Sequence, residues 1–134
     1  MTPVTLLLPY PVSANRYWRS YVPKGWTRAL VVLSPEAKAF KEECGWRARA
    51  AGVRAPVTCP VALSIRLYPR DRRLLDIDNA LKVVVDALKG IAYEDDKQVW
   101  RLDIERRTPD GNPRLELTIE AYVPAVTELE EAAA

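Results

Sequence analysis

The sequence contains no histidine among its 134 residues. That absence excludes Ser-His-Asp and Cys-His catalysis, and any zinc or iron site built on imidazole. Chemistry must then come from carboxylates, lysine, arginine, tyrosine or a hard metal ion. Cysteine is scarce as well: Cys44 and Cys59 are the whole complement. Two cysteines make no disulfide framework and stand at no metal-ligand spacing, so two partly buried thiols are expected. There is no run of about 18 apolar residues, so no membrane span is expected. The N-terminus lacks the basic start, apolar middle and small-residue cleavage site of a secretory signal. A soluble, cytoplasmic protein with no membrane partner is the expectation. Internal repeats, low-complexity blocks and a Gly-rich phosphate loop are also missing.

What is present suits one domain. Apolar residues make up 49% of the chain, enough for a core. A short chain buries a smaller fraction of its surface than a long one, so a partner subunit would help. Net charge is only +2 but unevenly spread. Residues 1–33 carry Arg16, Arg19, Lys24 and Arg28 and no acid, and Arg66, Arg70, Arg72 and Arg73 form a second basic stretch around Asp71. Acids gather between Asp76 and Asp96, and again at Glu128, Glu130 and Glu131. A basic surface around an acidic pocket suits a nuclease: one attracts the phosphate backbone, the other holds a cation. Charge alone leaves an ordinary mixed-charge surface as the competing reading.

Hydrophobic patterning predicts an α+β domain with two main helices packed on a mixed sheet. Val4 to Leu8 reads as a buried strand stopped by Pro9-Tyr10-Pro11. The stretch from Ser13 to Leu33, with Tyr17, Trp18, Tyr21 and Trp26, reads as a long arm with short strand pieces. Ser34-Pro35-Glu36 starts a helix, with Ala37, Phe40, Cys44, Ala48 and Ala51 on its buried side and Gly52 at its end. Gly45 weakens that helix by about 1 kcal/mol unless close packing demands a small residue. Val61, Leu63, Ile65 and Leu67 alternate as a half-buried strand. A basic loop, 70–75, leads to a second helix from about Asp78 to Lys89, with Leu81, Val84 and Leu88 buried and Gly90 as its stop. Alternation over Val99–Arg107 and Arg114–Val123, around a Pro/Asp/Gly turn, predicts a terminal β-hairpin. Residues 1–123 are expected to form the domain, and 124–134 a flexible acidic tail.

The chemistry concentrates in Asp76-Ile77-Asp78-Asn79, then Lys82, then Asp95-Asp96. In extended chain, residues two apart point the same way, so Asp76 and Asp78 can share a pocket while Ile77 faces the core. Lys82 lies one helical turn beyond Asp78, and Asp86 continues that face. Clustered aspartates repel one another unless a cation intervenes. A carboxylate-bound Mg²⁺ can activate water and stabilise charge in phosphodiester hydrolysis. Spacing alone leaves structural roles open: a helix cap for Asp76 or Asp78, a surface ion pair for Lys82, turn positions for Asp95 and Asp96.

The run Asp76-Ile77-Asp78-Asn79-x-x-Lys82-x-x-x-Asp86-Ala87-Leu88, followed by Asp95-Asp96-x-Gln98-Val99, resembles the RusA family of Holliday junction resolvases. The opening Leu8-Pro9-Tyr10-Pro11-Val12-Ser13-Ala14-Asn15-Arg16-Tyr17-Trp18-Arg19 and the closing Arg114-Leu115-Glu116-Leu117-Thr118-Ile119 are similar to that family's ends. The likeness runs from about Leu6 to Tyr122. Val12 and Ala14 depart from it, standing where Pro and Asn are frequent. The resemblance implies a homodimeric, Mg²⁺-dependent endodeoxyribonuclease that resolves four-way junctions by paired symmetric nicks, in recombination and repair, with Mn²⁺ able to substitute. It assigns catalysis to Asp76, Asp78, Asp96 and Lys82. Metal binding falls to Asp76, Asp78 and Asp96, with Asp95 as an auxiliary. Beside these, Asn79 is expected to orient a ligand or cap the helix, and Arg16, Arg19, Lys24, Arg70, Arg72 and Arg73 to hold the DNA backbone. Two alternatives stand beside this: a junction-binding protein of the same fold that does not cut, and a metal-dependent hydrolase of a small phosphorylated substrate.

Overall fold

The alternating segments become strands and the 3.6-periodic ones helices. The computed structural model describes residues 1–73 and 76–124. In chain order these give β1 (Val4–Pro9), α1 (Ala14–Tyr17), β2 (Trp18–Tyr21), β3 (Leu30–Leu33), α2 (Pro35–Ala50), β4 (Val61–Tyr68), α3 (Ile77–Leu88), a 3₁₀ turn (Asp96–Gln98), β5 (Val99–Arg106) and β6 (Arg114–Ala121). The class is α+β with a mixed sheet and two main helices, as the patterning predicts. Apart from Pro124, the expected acidic tail lies outside the described residues.

The main sheet has the order β1-β6-β4-β5. β4 and β5 run parallel, and the other neighbours are antiparallel. Leu6 and Leu8 of β1, Leu63, Ile65 and Leu67 of β4, and Leu115, Leu117 and Ile119 of β6 are all buried. They join Ala37, Phe40, Cys44 and Ala48 of α2 and Val83, Val84, Ala87 and Leu88 of α3 in one core. The opposite face, with Thr5, Ser64 and Arg66, is exposed.

The expected terminal hairpin does not form. β5 and β6 are adjacent in sequence, but β4 lies between them. Burial explains the order. β6 buries three large aliphatic side chains completely and belongs inside the sheet, whereas most of β5 is exposed and suits an edge. The connection 107–113 needs only to cross two strand spacings, about 10 Å. β5 is reached through α3 as a parallel β4–α3–β5 crossover, the kind of link parallel strands require.

The arm is also more ordered than a loop. It folds into α1 and an antiparallel β2–β3 ribbon, with Trp18 opposite Leu33 and Tyr21 opposite Leu30. Ser34 ties it down. Its hydroxyl donates to the Arg16 carbonyl and accepts the Ala37 amide (3.0 Å), while its own amide donates to the Tyr17 carbonyl (2.9 Å). One serine thus caps α2 and docks α1. Ala51, expected in the buried stripe, is exposed because α2 ends at Ala50. Leu81 is only half-buried; Ala80 and Val83 take its expected place against the core. Val123, expected on the buried face of the last strand, lies past the end of β6 and is exposed.

The C-terminus of α3 has no basic residue in its own last turn. Lys41 of α2 supplies the charge, donating to the carbonyls of Ala87 (3.0 Å) and Lys89 (2.6 Å). A cation is favourable at that end of a helix dipole. Gly90 then turns the chain with φ of 81°, a left-handed value suited to glycine. Both cysteines are free, and burial pushes the Cys44 thiol up to about 12, leaving it un-ionised at neutral pH.

Candidate active site

Asp76 takes the cap position of α3. Its backbone is extended (φ −69°, ψ 117°), and its Oδ1 accepts the Asp78 amide at 3.1 Å. Asp78, in the first turn, is exposed. Ile77 between them is half-buried, so the acids face outward from one helix start, where negative charge is favoured by the helix dipole. Lys82 follows one turn on, about 6 Å along the axis, and Asp86 one turn beyond that.

An open hollow of about 430 Å³ lies between α3 and β5. Lys82, Asp86 and Asp96 line it over an apolar bed that includes Trp18, Leu81 and Leu102. Leu102 faces this side because β5 pairs it with Leu63, whose side chain points into the core. Asp86 is held from below. The hydroxyl of Tyr17, a fully buried residue, donates to Asp86 Oδ2 at 2.6 Å. Burial, then that hydrogen bond, raises the Tyr17 pKa above the ordinary tyrosine range, so the hydroxyl stays a donor. Tyr93, raised chiefly by burial, braces the same turn of α3 through the Val85 carbonyl at 2.5 Å.

The acidic loop is pinned by Gln98. Its Oε1 accepts the amides of Glu94 and Asp95, each at 2.9 Å. Its Nε2 donates to the carbonyls of Val57 (2.7 Å) and Cys59 (3.0 Å). Asp95 completes a capping box on the 3₁₀ turn, its Oδ1 accepting the Lys97 amide at 3.1 Å. That amide holds the Asp95 carboxyl below the usual carboxylate range. The two neighbours thus divide their roles: Asp95 caps the turn and Asp96 faces the hollow.

The structure therefore brings Lys82, Asp86 and Asp96 to one hollow, and places Asp76 and Asp78 together at the start of α3, before Lys82 and not among the residues that line the hollow. Among the described residues, no three carboxylates or cysteines converge closely enough to form a ready metal cluster. The donor chemistry still suits a hard divalent cation, since only carboxylates are offered and magnesium usually uses one or two of them with waters and phosphate oxygens. Asn79 makes no side-chain hydrogen bond to the described residues, and the cap of α3 is given by Asp76.

The family model "Endodeoxyribonuclease RusA" matches residues 9–120. The chain belongs to the RusA endodeoxyribonuclease family. It is 32% identical over 120 residues to the crossover junction endodeoxyribonuclease RusA of Escherichia coli K12, covering 89% of this chain and 95% of that one. The Shigella sonnei protein of the same name matches with the same identity and coverage. The crossover junction endodeoxyribonuclease of Enterobacteria phage 82 is 31% identical over 115 residues, 85% of this chain and 91% of the relative. The resemblance carried by the aspartate motif and the two ends is thereby borne out.

The basic residues fall into two groups. Arg16, Arg19 and Lys24 are exposed on α1, β2 and the ribbon turn, with the Arg19 guanidinium 5.9 Å from the centre of the Tyr21 ring. Arg70, Arg72 and Arg73 are exposed after β4. Arg106 and Arg107, beside the latter group, were not singled out by sequence; they look like ordinary strand-end residues until β5 is known to lie next to β4. In the sequence Tyr17 is only one aromatic of an arm, because no local pattern couples it to Asp86 69 residues away.

Proposed function

We propose that this protein is a divalent-metal-dependent endodeoxyribonuclease that resolves four-way DNA junctions by paired symmetric nicks. It acts in the cytoplasm, in DNA recombination and repair. The observation that carries the reading is the shared hollow of Lys82 and Asp96, with the Asp76–Asp78 pair at the start of the helix that carries Lys82, in a chain of the RusA family. Asp76, Asp78 and Asp96 would hold the cation, with Asp95 auxiliary through whatever capacity its cap leaves. Mg²⁺ is the proposed ion, with Mn²⁺ able to substitute. When bound, it supplies Lewis acidity and a water of lowered pKa. Lys82, exposed at the rim, neutralises the scissile phosphate. The apolar bed beneath excludes water from one side of the reacting groups. Arg16, Arg19, Lys24, Arg70, Arg72 and Arg73 hold the flanking backbone, and Asn79 faces the ligands at the helix start.

A four-way junction presents two equivalent strands, and a two-fold homodimer presents two equivalent sites. A homodimer is therefore part of the proposal. The test is incubation with an end-labelled synthetic four-way junction, with and without Mg²⁺ or Mn²⁺, alongside light scattering. Nicks at symmetric positions in two strands, only with metal and from a protein of dimer mass, are expected. Binding without cutting under every metal condition would make the protein a junction-binding module instead. Hydrolysis of small phosphoesters with no action on DNA would favour the small-substrate alternative.

A further inference from the structure

The parallel pair β4–β5 ends in two diverging exits. β4 gives way at Tyr68 to the segment leading toward α3, and β5 gives way at Arg106 to the turn before β6. Leu67 and Arg106 are register partners, and the Arg107 amide donates to the Leu67 carbonyl at 2.8 Å, which keeps the exits side by side. Between them lies a second open hollow, of about 510 Å³, lined by Arg72, Arg73, Arg106 and Arg107 together with Asp71 and Thr108. A crevice outside the carboxyl ends of parallel strands is a usual place for ligands in α/β sheets.

Among the described residues, these four guanidinium groups meet one carboxylate that lines the hollow, Asp71, and a second, Glu105, beside Arg107. Asp71 approaches Arg73 only to 3.7 Å, and Arg73 remains 84% exposed; Glu105 pairs with Arg107. Among the described residues the surplus is positive, and its chemistry is that of planar forks that engage phosphate oxygens in pairs. Its position is fixed by the chain. Arg73 is three residues from Asp76, and at 3.8 Å per Cα step the two cannot be more than about 11 Å apart. A DNA strand advances about 3.4 Å per nucleotide, so a strand crossing Asp76 and Asp78 reaches the hollow within about three nucleotides.

We infer that the hollow of Arg72, Arg73, Arg106 and Arg107 is an anchor for one non-scissile backbone phosphate of the strand being cut, and that it sets where along that strand the cut falls. This rests on the proposed nuclease function and adds to it a single phosphate position, with Arg106 and Arg107 as its previously unassigned half.

The test pairs a substrate change with a protein change. Junctions carrying one neutral methylphosphonate at successive positions around the cut are assayed for binding and cut position, with the wild type and with the double variant Arg72→Gln, Arg107→Gln. Both side chains are exposed, and a urea midpoint checks that the variant folds. One position, about two to three nucleotides from the cut, should weaken wild-type binding about tenfold or more, the size of one charge-assisted contact. The double variant should bind the unmodified junction more weakly, with a log–log salt slope shallower by about 0.9, and lose nothing further at that position. Its cuts should spread over neighbouring linkages. Equal losses for both proteins at every position, with cut sites unchanged, would overturn the anchor and leave junction cleavage standing. Failure of the wild type to bind or cut the unmodified junction with either metal would overturn the nuclease reading itself, and the anchor with it.

Discussion

Removing one oxygen atom, by Tyr17→Phe, probes the link between the arm and the hollow of Lys82, Asp86 and Asp96. The Tyr17 ring is fully buried, and its hydroxyl donates to Asp86 Oδ2 at 2.6 Å. Phenylalanine fills the same space, so the change isolates the hydrogen bond from packing. A hydrogen bond to a charged group contributes about 1.5–3 kcal/mol. Asp86 is half-exposed and can recruit water in compensation, which puts the expected loss at the lower end, about 1.5 kcal/mol. With a urea slope of about 1–3 kcal/mol per molar for a domain of this size, the midpoint should fall by about 0.5–1.5 M. Asp86→Asn completes a double-mutant cycle, and a coupling of about 1 kcal/mol between the two positions is expected. Because Asp86 lines the hollow with Lys82 and Asp96, kcat on a junction should fall in both single variants with little change in KM. Midpoints that simply add in the double variant, or a Tyr17→Phe shift indistinguishable from zero, would refute the claim that this contact orients the site.

Asp96→Asn should abolish cutting while junction binding persists, whereas Asp95→Asn should keep measurable cutting, because Asn can still cap the 3₁₀ turn; gel assays with labelled junctions decide, and the reverse order would exchange the two roles. Gln98→Ala removes four hydrogen bonds and should lower stability by about 2–4 kcal/mol, read by urea unfolding, with cutting reduced through a loosened acidic loop. Gly45→Ala should stabilise the fold by about 0.5–1 kcal/mol, since a methyl group there meets only the Ile91 side chain at 3.7 Å; a lower melting temperature would contradict this. Alkaline pH should destabilise the protein. Tyr17 and Tyr93 keep their protons in the fold above the usual tyrosine range, while the unfolded chain ionises near pH 10. Their contribution is therefore intact below about pH 10 and lost as pH rises beyond it. Urea midpoints at pH 9 and 11 should differ less in Tyr93→Phe than in the wild type.

The legible parts of this molecule are those whose signal is local. The α2 start was written in Ser34-Pro35-Glu36, the α3 stop in Gly90, and the β4 face in its alternation. The aspartate motif likewise placed Asp76 and Asp78 at the start of α3 and Lys82 one turn on. What stayed hidden depends on partners distant in sequence. A turn-rich heptapeptide between two alternating segments suggests a hairpin, and only the complete burial of Leu115, Leu117 and Ile119, against a largely exposed β5, tells that β6 lies inside the sheet with β4 between the two. The Asp86–Tyr17 contact, the Gln98 clasp on Val57 and Cys59, and the arginine hollow are all side-chain meetings across 33 to 69 residues of chain. Periodicity carries no record of them. The competition between a cap and a metal ligand at Asp76 was also undecidable from spacing, because a cap uses one oxygen and leaves the other available.

The strand order has a kinetic meaning. β6 is the last strand of the described residues and yet an interior one, flanked by β1 and β4, with Val4 paired to Ile119 across almost the whole described sequence. The helices and the β4–α3–β5 unit draw on contacts close in sequence and can form early. The sheet cannot close until its ends meet, and non-local pairing of this kind slows folding because loop entropy is lost before the contacts compensate. Until then β1 and β4 each expose an edge able to pair with another chain, which makes the interval before β6 inserts the one in which this protein is most prone to aggregate.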